Sequence, residues 1–108
     1  RDPAVVAAYE ADPLVNHGKV TAGLGIALFD AMARVMTEAD SITLPMLIMH
    51  GGADTLAAPI GSETFAAKVG AADLTLTILP GLYHEIFNEP EGEDIIGRYA
   101  DWIEARLS

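Results

Sequence analysis

Apolar and polar positions change rhythm along this chain, and each change predicts a different element. Over residues 21–39 the apolar side chains Leu24, Leu28, Ala31, Met32, Val35, Met36 and Ala39 recur every three or four positions, which is the spacing of one helix face. Gly23 and Gly25 weaken only its first turn. Two short apolar runs follow, Met46–His50 and Leu74–Leu79, each of strand length, the first leading into Gly51-Gly52 and the second into Pro80-Gly81. Between them Ser62 to Val69 reads as a helix. A crossover that contains a helix fits parallel pairing, because parallel strands need a dozen or more connecting residues. The final stretch, Glu91 to Leu107, carries Ile95, Ile96, Tyr99, Trp102, Ile103 and Leu107 at a 3-4 repeat, a face that should pack on the sheet.

Ahead of these elements, Asp2 is a suitable N-cap with Pro3 at the first helical position, and this short helix should fade by Glu10. Asp12-Pro13 reads as a turn or a second cap, and Ser41 to Pro45 as a seam. The fold class is therefore α/β: a helical region over residues 1–42, then strands and helices over 43–108. Two parallel strands are too few to make a covered sheet, so further strands are expected from another segment or a second copy.

Composition sharpens that expectation. Half of the 108 residues are hydrophobic (51%) and only 20% are charged, a rich apolar content for a size at which surface already limits burial. Some of the apolar surface should meet a partner. A formal charge of −10 argues against nucleic acid and against attraction to anionic lipid. Without cysteine there is no disulfide framework, thiolate nucleophile or Cys-based zinc site. No apolar run reaches the roughly 18 residues of a membrane span, and location stays open between the cytoplasm and a membrane surface.

The candidate chemistry lies after the two strands. Asp54 follows the first by four residues and His84 follows the second by five, both in Gly-containing loops. Parallel neighbours about 4.8 Å apart would bring these loops to one edge, where open α/β sheets place their chemistry. An Asp that precedes a His is the acid and base part of a hydrolytic triad in the order Ser, Asp, His. No G-x-S-x-G string occurs, and Ser41, Ser62 and Ser108 all lack the flanking glycines, so the nucleophile is expected in a segment upstream of Arg1.

Duller readings exist for each residue. Asp54 could simply close an Asx turn in Gly51-Gly52-Ala53-Asp54-Thr55, and a lone histidine such as His84 is commonly a surface or core residue. His50-Gly51-Gly52 looks like part of a lipase oxyanion loop but leads into the acid loop, so His50 reads as structural. His17 reads as a solvated loop residue. His84-Glu85 begins like H-E-x-x-H, yet position 88 is Asn, so no metal site is expected. Glu89, Glu91, Glu93 and Asp94 suit the positive end of the last helix dipole.

The strings Leu47-Ile48-Met49-His50-Gly51-Gly52-Ala53-Asp54 and Pro80-Gly81-Leu82-Tyr83-His84-Glu85-Ile86-Phe87-Asn88-Glu89-Pro90 resemble the α/β-hydrolases of the monoacylglycerol lipase and lysophospholipase group. The stretch from Asp2-Pro3 to Lys19 is similar to the end of that group's cap region. The resemblance implies the C-terminal part of an α/β-hydrolase fold with a helical cap remnant over residues 1–42. It implies Asp54 as triad acid, His84 as base, residues 21–39 as a cap helix near the acyl entrance, and a carboxylic ester, a monoacylglycerol or related lipid, as substrate. Leu82 and Tyr83, beside His84, are expected to line the site. The implied oxyanion loop and serine have no counterpart here, and no cofactor is expected. The competing expectation is a non-catalytic association module that pairs through its sheet edge.

Overall fold

The computed structural model describes residues 1–107. Its elements run α1 (Pro3–Ala11), α2 (Ala22–Glu38), a single 3-10 turn (Ala39–Ser41), β1 (Met46–Gly51), α3 (Pro59–Ala66), β2 (Leu74–Leu79), a second 3-10 turn (Ile86–Asn88) and α4 (Gly92–Glu104). The predicted elements are present, with shifted ends. α3 starts three residues earlier than Ser62 because Pro59 takes the first helical position, where its lack of an N–H costs nothing, and it stops at Ala66 rather than Val69. α2 begins after Thr21, whose hydroxyl accepts from the Leu24 N–H at 3.2 Å. α1 is capped by the Asp2 carboxylate, which accepts from the Ala4 N–H at 2.8 Å.

β1 and β2 pair in parallel, from Met46 opposite Leu74 to Gly51 opposite Leu79. Because side chains alternate across a strand, Leu47 and Met49 share one face with Thr75, Thr77 and Leu79. α4 covers that face: Leu79 and Ile95 pack with Leu82 and Ile86 as the core, and Met49 and Tyr99 lie against them. At the far end of α4 the Trp102 indole N–H donates to Thr75 Oγ1 at 3.0 Å. Arg106 stacks on the Trp102 ring and forms two hydrogen bonds with the Asp73 carboxylate, at 2.7 and 2.8 Å. α3 reaches the opposite face, where Ser62 meets His50. Each face of the sheet thus has one helix.

That cover is thin. In both strands only the last residue is fully buried, the first five being half-buried. Neither α1 nor α2 buries a residue, and Leu24, Ile26, Leu28, Phe29, Met32 and Val35 of α2 are exposed. The face that periodicity predicted is formed, but within residues 1–107 it is covered only at its C-terminal end, where Ala39 is buried and Met36 half-buried. Among the described residues no helix is long and apolar enough to cross a membrane.

Candidate active site

The loops that carry Asp54 and His84 are laced together before any side chain is considered. Gly52 N–H donates to the Leu79 carbonyl at 2.7 Å, and Ala53 N–H to the Leu82 carbonyl at 2.9 Å. Gly51 makes this approach possible: a Cβ there would collide with the carbonyl oxygens of Leu82 and Tyr83. Gly81 turns the chain out of β2 with φ +78, a conformation open to glycine at little cost.

On that frame His84 Nδ1 lies 2.8 Å from Asp54 Oδ2. The carboxylate is almost fully sheltered, with its side chain 2% exposed, whereas the imidazole is half in solvent at 50%. Asp54 Oδ1 accepts from the backbone N–H groups of Leu56 at 2.8 Å and Ala57 at 3.1 Å. The Asx turn and the histidine contact therefore coexist, one on each oxygen. A second imidazole completes the set, with His50 Nε2 at 3.1 Å from the same Oδ2. Burial by itself pushes the Asp54 carboxyl up, but the hydrogen bond to His84 and those from Ala57 and Leu56 outweigh it and bring it down to about 2.

Not every residue falls where the sequence placed it. Tyr83 does border the cleft, together with Ala53, Asp54, Thr55, Leu56 and His84, around a cavity of about 490 Å³. Leu82 does not: the turn at Pro80-Gly81 directs its side chain into the core with Leu79, Ile86 and Ile95. Glu89 is more than a helix-dipole residue. It is buried, accepts from the Tyr83 N–H at 2.6 Å and from Arg1 Nε at 2.8 Å, and so braces the loop that carries His84. Burial raises its carboxyl, but these two donors hold it below the ordinary value. Arg1 also pairs with Glu91, tying the start of α1 to the same loop. His17 is an exposed loop residue, and its ring meets Tyr9 edge-on at 5.7 Å.

α1 forms one wall of a second cavity of about 440 Å³, where Val5, Val6 and Tyr9 face Leu56, Tyr83 and His84. Ser62 Oγ is 2.7 Å from His50 Nδ1, and Ser41 Oγ donates to the Glu38 carbonyl at 2.7 Å. Neither hydroxyl is directed at His84, and Ser108 lies outside the described residues. Among the described residues no group of His, Asp and Glu is arranged to hold a metal ion.

The sequence profile of the serine aminopeptidase S33 family, a group of α/β-hydrolases, matches residues 1–91. The chain belongs to that family. Within it, the chain is 43% identical over 107 residues to a monoacylglycerol lipase of Mycolicibacterium smegmatis, covering 99% of this chain and 38% of that protein. It is 31% identical over 110 residues to the monoglyceride lipase of Rattus norvegicus, covering all of this chain and 36% of the rat protein. The crystal structure of a Paleococcus ferrophilus monoacylglycerol lipase superposes with a TM-score of 0.88 at 37% identity, over 94% of this chain and 40% of that one. This S33-family chain thus has the architecture of part of an α/β-hydrolase and spans less than half the length of the relatives it matches.

Proposed function

We propose that Asp54 and His84 are the acid and base of a serine ester hydrolase, and that a serine outside residues 1–108 is the nucleophile. The observation that carries the reading is the 2.8 Å contact between His84 Nδ1 and a sheltered Asp54 carboxylate. It leaves Nε2 on the open side of the ring. From there Nε2 would take the proton of the serine hydroxyl as it attacks the ester carbonyl, and then return it to the departing alcohol. Asp54 would fix the tautomer and stabilise the imidazolium while staying ionised, a role its value of about 2 supports. Donors for the oxyanion would come from the same outside segment as the serine.

For substrate we propose carboxylic esters of the monoacylglycerol type. The names of the relatives support this class, and Val5, Val6, Tyr9 and Leu56 offer an apolar wall beside His84 for an alkyl chain. Residues 1–42 would then act as the end of a cap, and residues 43–108 as the C-terminal part of the core beneath it. The open strand edges and the exposed face of α2 would be covered by the preceding segment of the same protein or by a second copy.

Fluorophosphonate labelling of the full-length protein, with hydrolysis of a monoacylglycerol followed in parallel, tests the reading. The expected result is one covalent adduct on a serine outside residues 1–108, with labelling and hydrolysis both lost in His84→Ala. An adduct on Ser41, Ser62 or Ser108, or undiminished hydrolysis by His84→Ala, would refute it.

A further inference from the structure

Two imidazoles converge on Asp54 Oδ2, and a triad needs only one of them. We propose that His50 is a positioning residue for the acid: its Nε2–H holds Oδ2 in the orientation that receives His84, and Ser62 holds the His50 ring in turn. The inference rests on the reading of Asp54 as triad acid.

Hydrogen bookkeeping assigns the roles. His50 Nε2 faces two acceptors, Asp54 Oδ2 at 3.1 Å and the Ala57 carbonyl at 2.8 Å. In either protonation state the favourable arrangement therefore has a hydrogen on Nε2, shared between them. In the neutral ring Nδ1 then has a free lone pair, and Ser62 Oγ at 2.7 Å is placed to donate to it. If the ring is charged, the same hydroxyl accepts instead. Asp54 thus has four donors for its two oxygens: the N–H groups of Leu56 and Ala57 on Oδ1, and His50 and His84 on Oδ2. Among the described residues no buried side-chain polar atom is left without a partner.

Three of those four donors come from β1 and the β1–α3 loop, and only His84 comes from the other loop. The carboxylate is thus set by its own segment and presented to the base already oriented. Such preorientation matters because a misplacement on the order of 1 Å in a catalytic constellation can cost about 100-fold in rate. The contacts Ser62–His50–Asp54 superficially look like a triad of their own. The ring is reversed, however, with Nε2 rather than Nδ1 toward the acid, and Ser62 sits within helix α3.

The test uses the full-length protein, p-nitrophenyl butyrate as probe, and melting temperature as the check on folding. His50→Phe fills the site without an N–H donor and is expected to lower kcat by about tenfold to 100-fold, with KM within about twofold. His50→Gln, whose amide can place an N–H near the Nε2 position, is expected to recover most of that loss. Unchanged kcat in a folded His50→Phe, with Asp54→Asn inactive, overturns this inference and leaves the acid assignment standing. Full activity in Asp54→Asn overturns both. Equal losses in His50→Gln and His50→Phe reduce His50 to packing and also overturn it. Nitrogen NMR of the wild type decides the matter even if His50→Phe does not fold: a hydrogen on His50 Nε2 is expected, and a bare Nε2 is incompatible with the proposal.

Discussion

Residues 46–92 pin two loops together with main-chain hydrogen bonds and satisfy a sheltered carboxylate with four donors, whereas the helical arm of α1 and α2 buries no residue. Both regions follow good local rules. Asp2 and Thr21 cap the helices of the arm, and in the other region Pro59 opens α3 at its first helical position. The difference lies in what each requires for its stability. The rim is held by short, directional contacts between segments that are both present. The apolar face of α2 depends on burial, which is non-directional and is realised only when another surface arrives. Directional contacts can thus be complete in a stretch whose hydrophobic packing is not.

The widest gap between the two regions should show in catalysis. His84→Ala in the full-length protein is expected to reduce kcat for ester hydrolysis by about 10,000-fold or more, as loss of a triad member does elsewhere. Gly51→Val should follow, because its Cβ has no room against the Leu82 and Tyr83 carbonyls. A stability loss of about 3 kcal/mol or more is expected from urea unfolding, and a loss under about 1 kcal/mol would mean that the loops are not stitched as described. Glu89→Ala should cost about 2 kcal/mol and speed hydrogen exchange at the Tyr83 amide, which loses its acceptor.

Acid titration separates the regions more gently. The Asp54 carboxyl is lowered from 3.8 to about 2 on folding, so the folded state binds fewer protons there than the unfolded one. Its stabilisation is whole above about pH 4 and drains away as pH falls toward 2. Asp54→Asn should flatten that part of the urea-midpoint curve, and an unaltered acid limb would count against the four-donor cradle. The smallest effect belongs to the arm. Phe29→Ser should change the stability of residues 1–108 by less than about 0.5 kcal/mol, since the side chain is already exposed. A larger loss in the full-length protein than in this segment would identify the α2 face as buried there.

Much of this arrangement was legible in the sequence. Period and punctuation gave the elements, and near-equal loop lengths after parallel strands brought Asp54 and His84 to one rim. The misses have a common physical origin. His50 reads as a strand-end residue until α3 folds back and sets Ser62 against its ring, a pairing that depends on the path of the β1–α3 loop. Glu89 reads as a helix-dipole residue until the 3-10 turn at Ile86–Asn88 returns it to the Tyr83 amide. Leu82 is apolar and two residues before His84, and only the left-handed turn at Gly81 decides which way it faces. Each miss is a contact made by a loop's three-dimensional course, which side-chain periodicity does not encode.

The unequal exposure of Asp54 and His84 gives the His84 ring a wet edge and a dry one. A hydrogen on its inner nitrogen is shielded beside the carboxylate and should trade with deuterated solvent slowly. One on the outer nitrogen, present only when the ring is charged, should trade almost at once. In that charged form a single aromatic ring would keep two clocks, and any molecule settling into the cleft would be announced by the fast one slowing down.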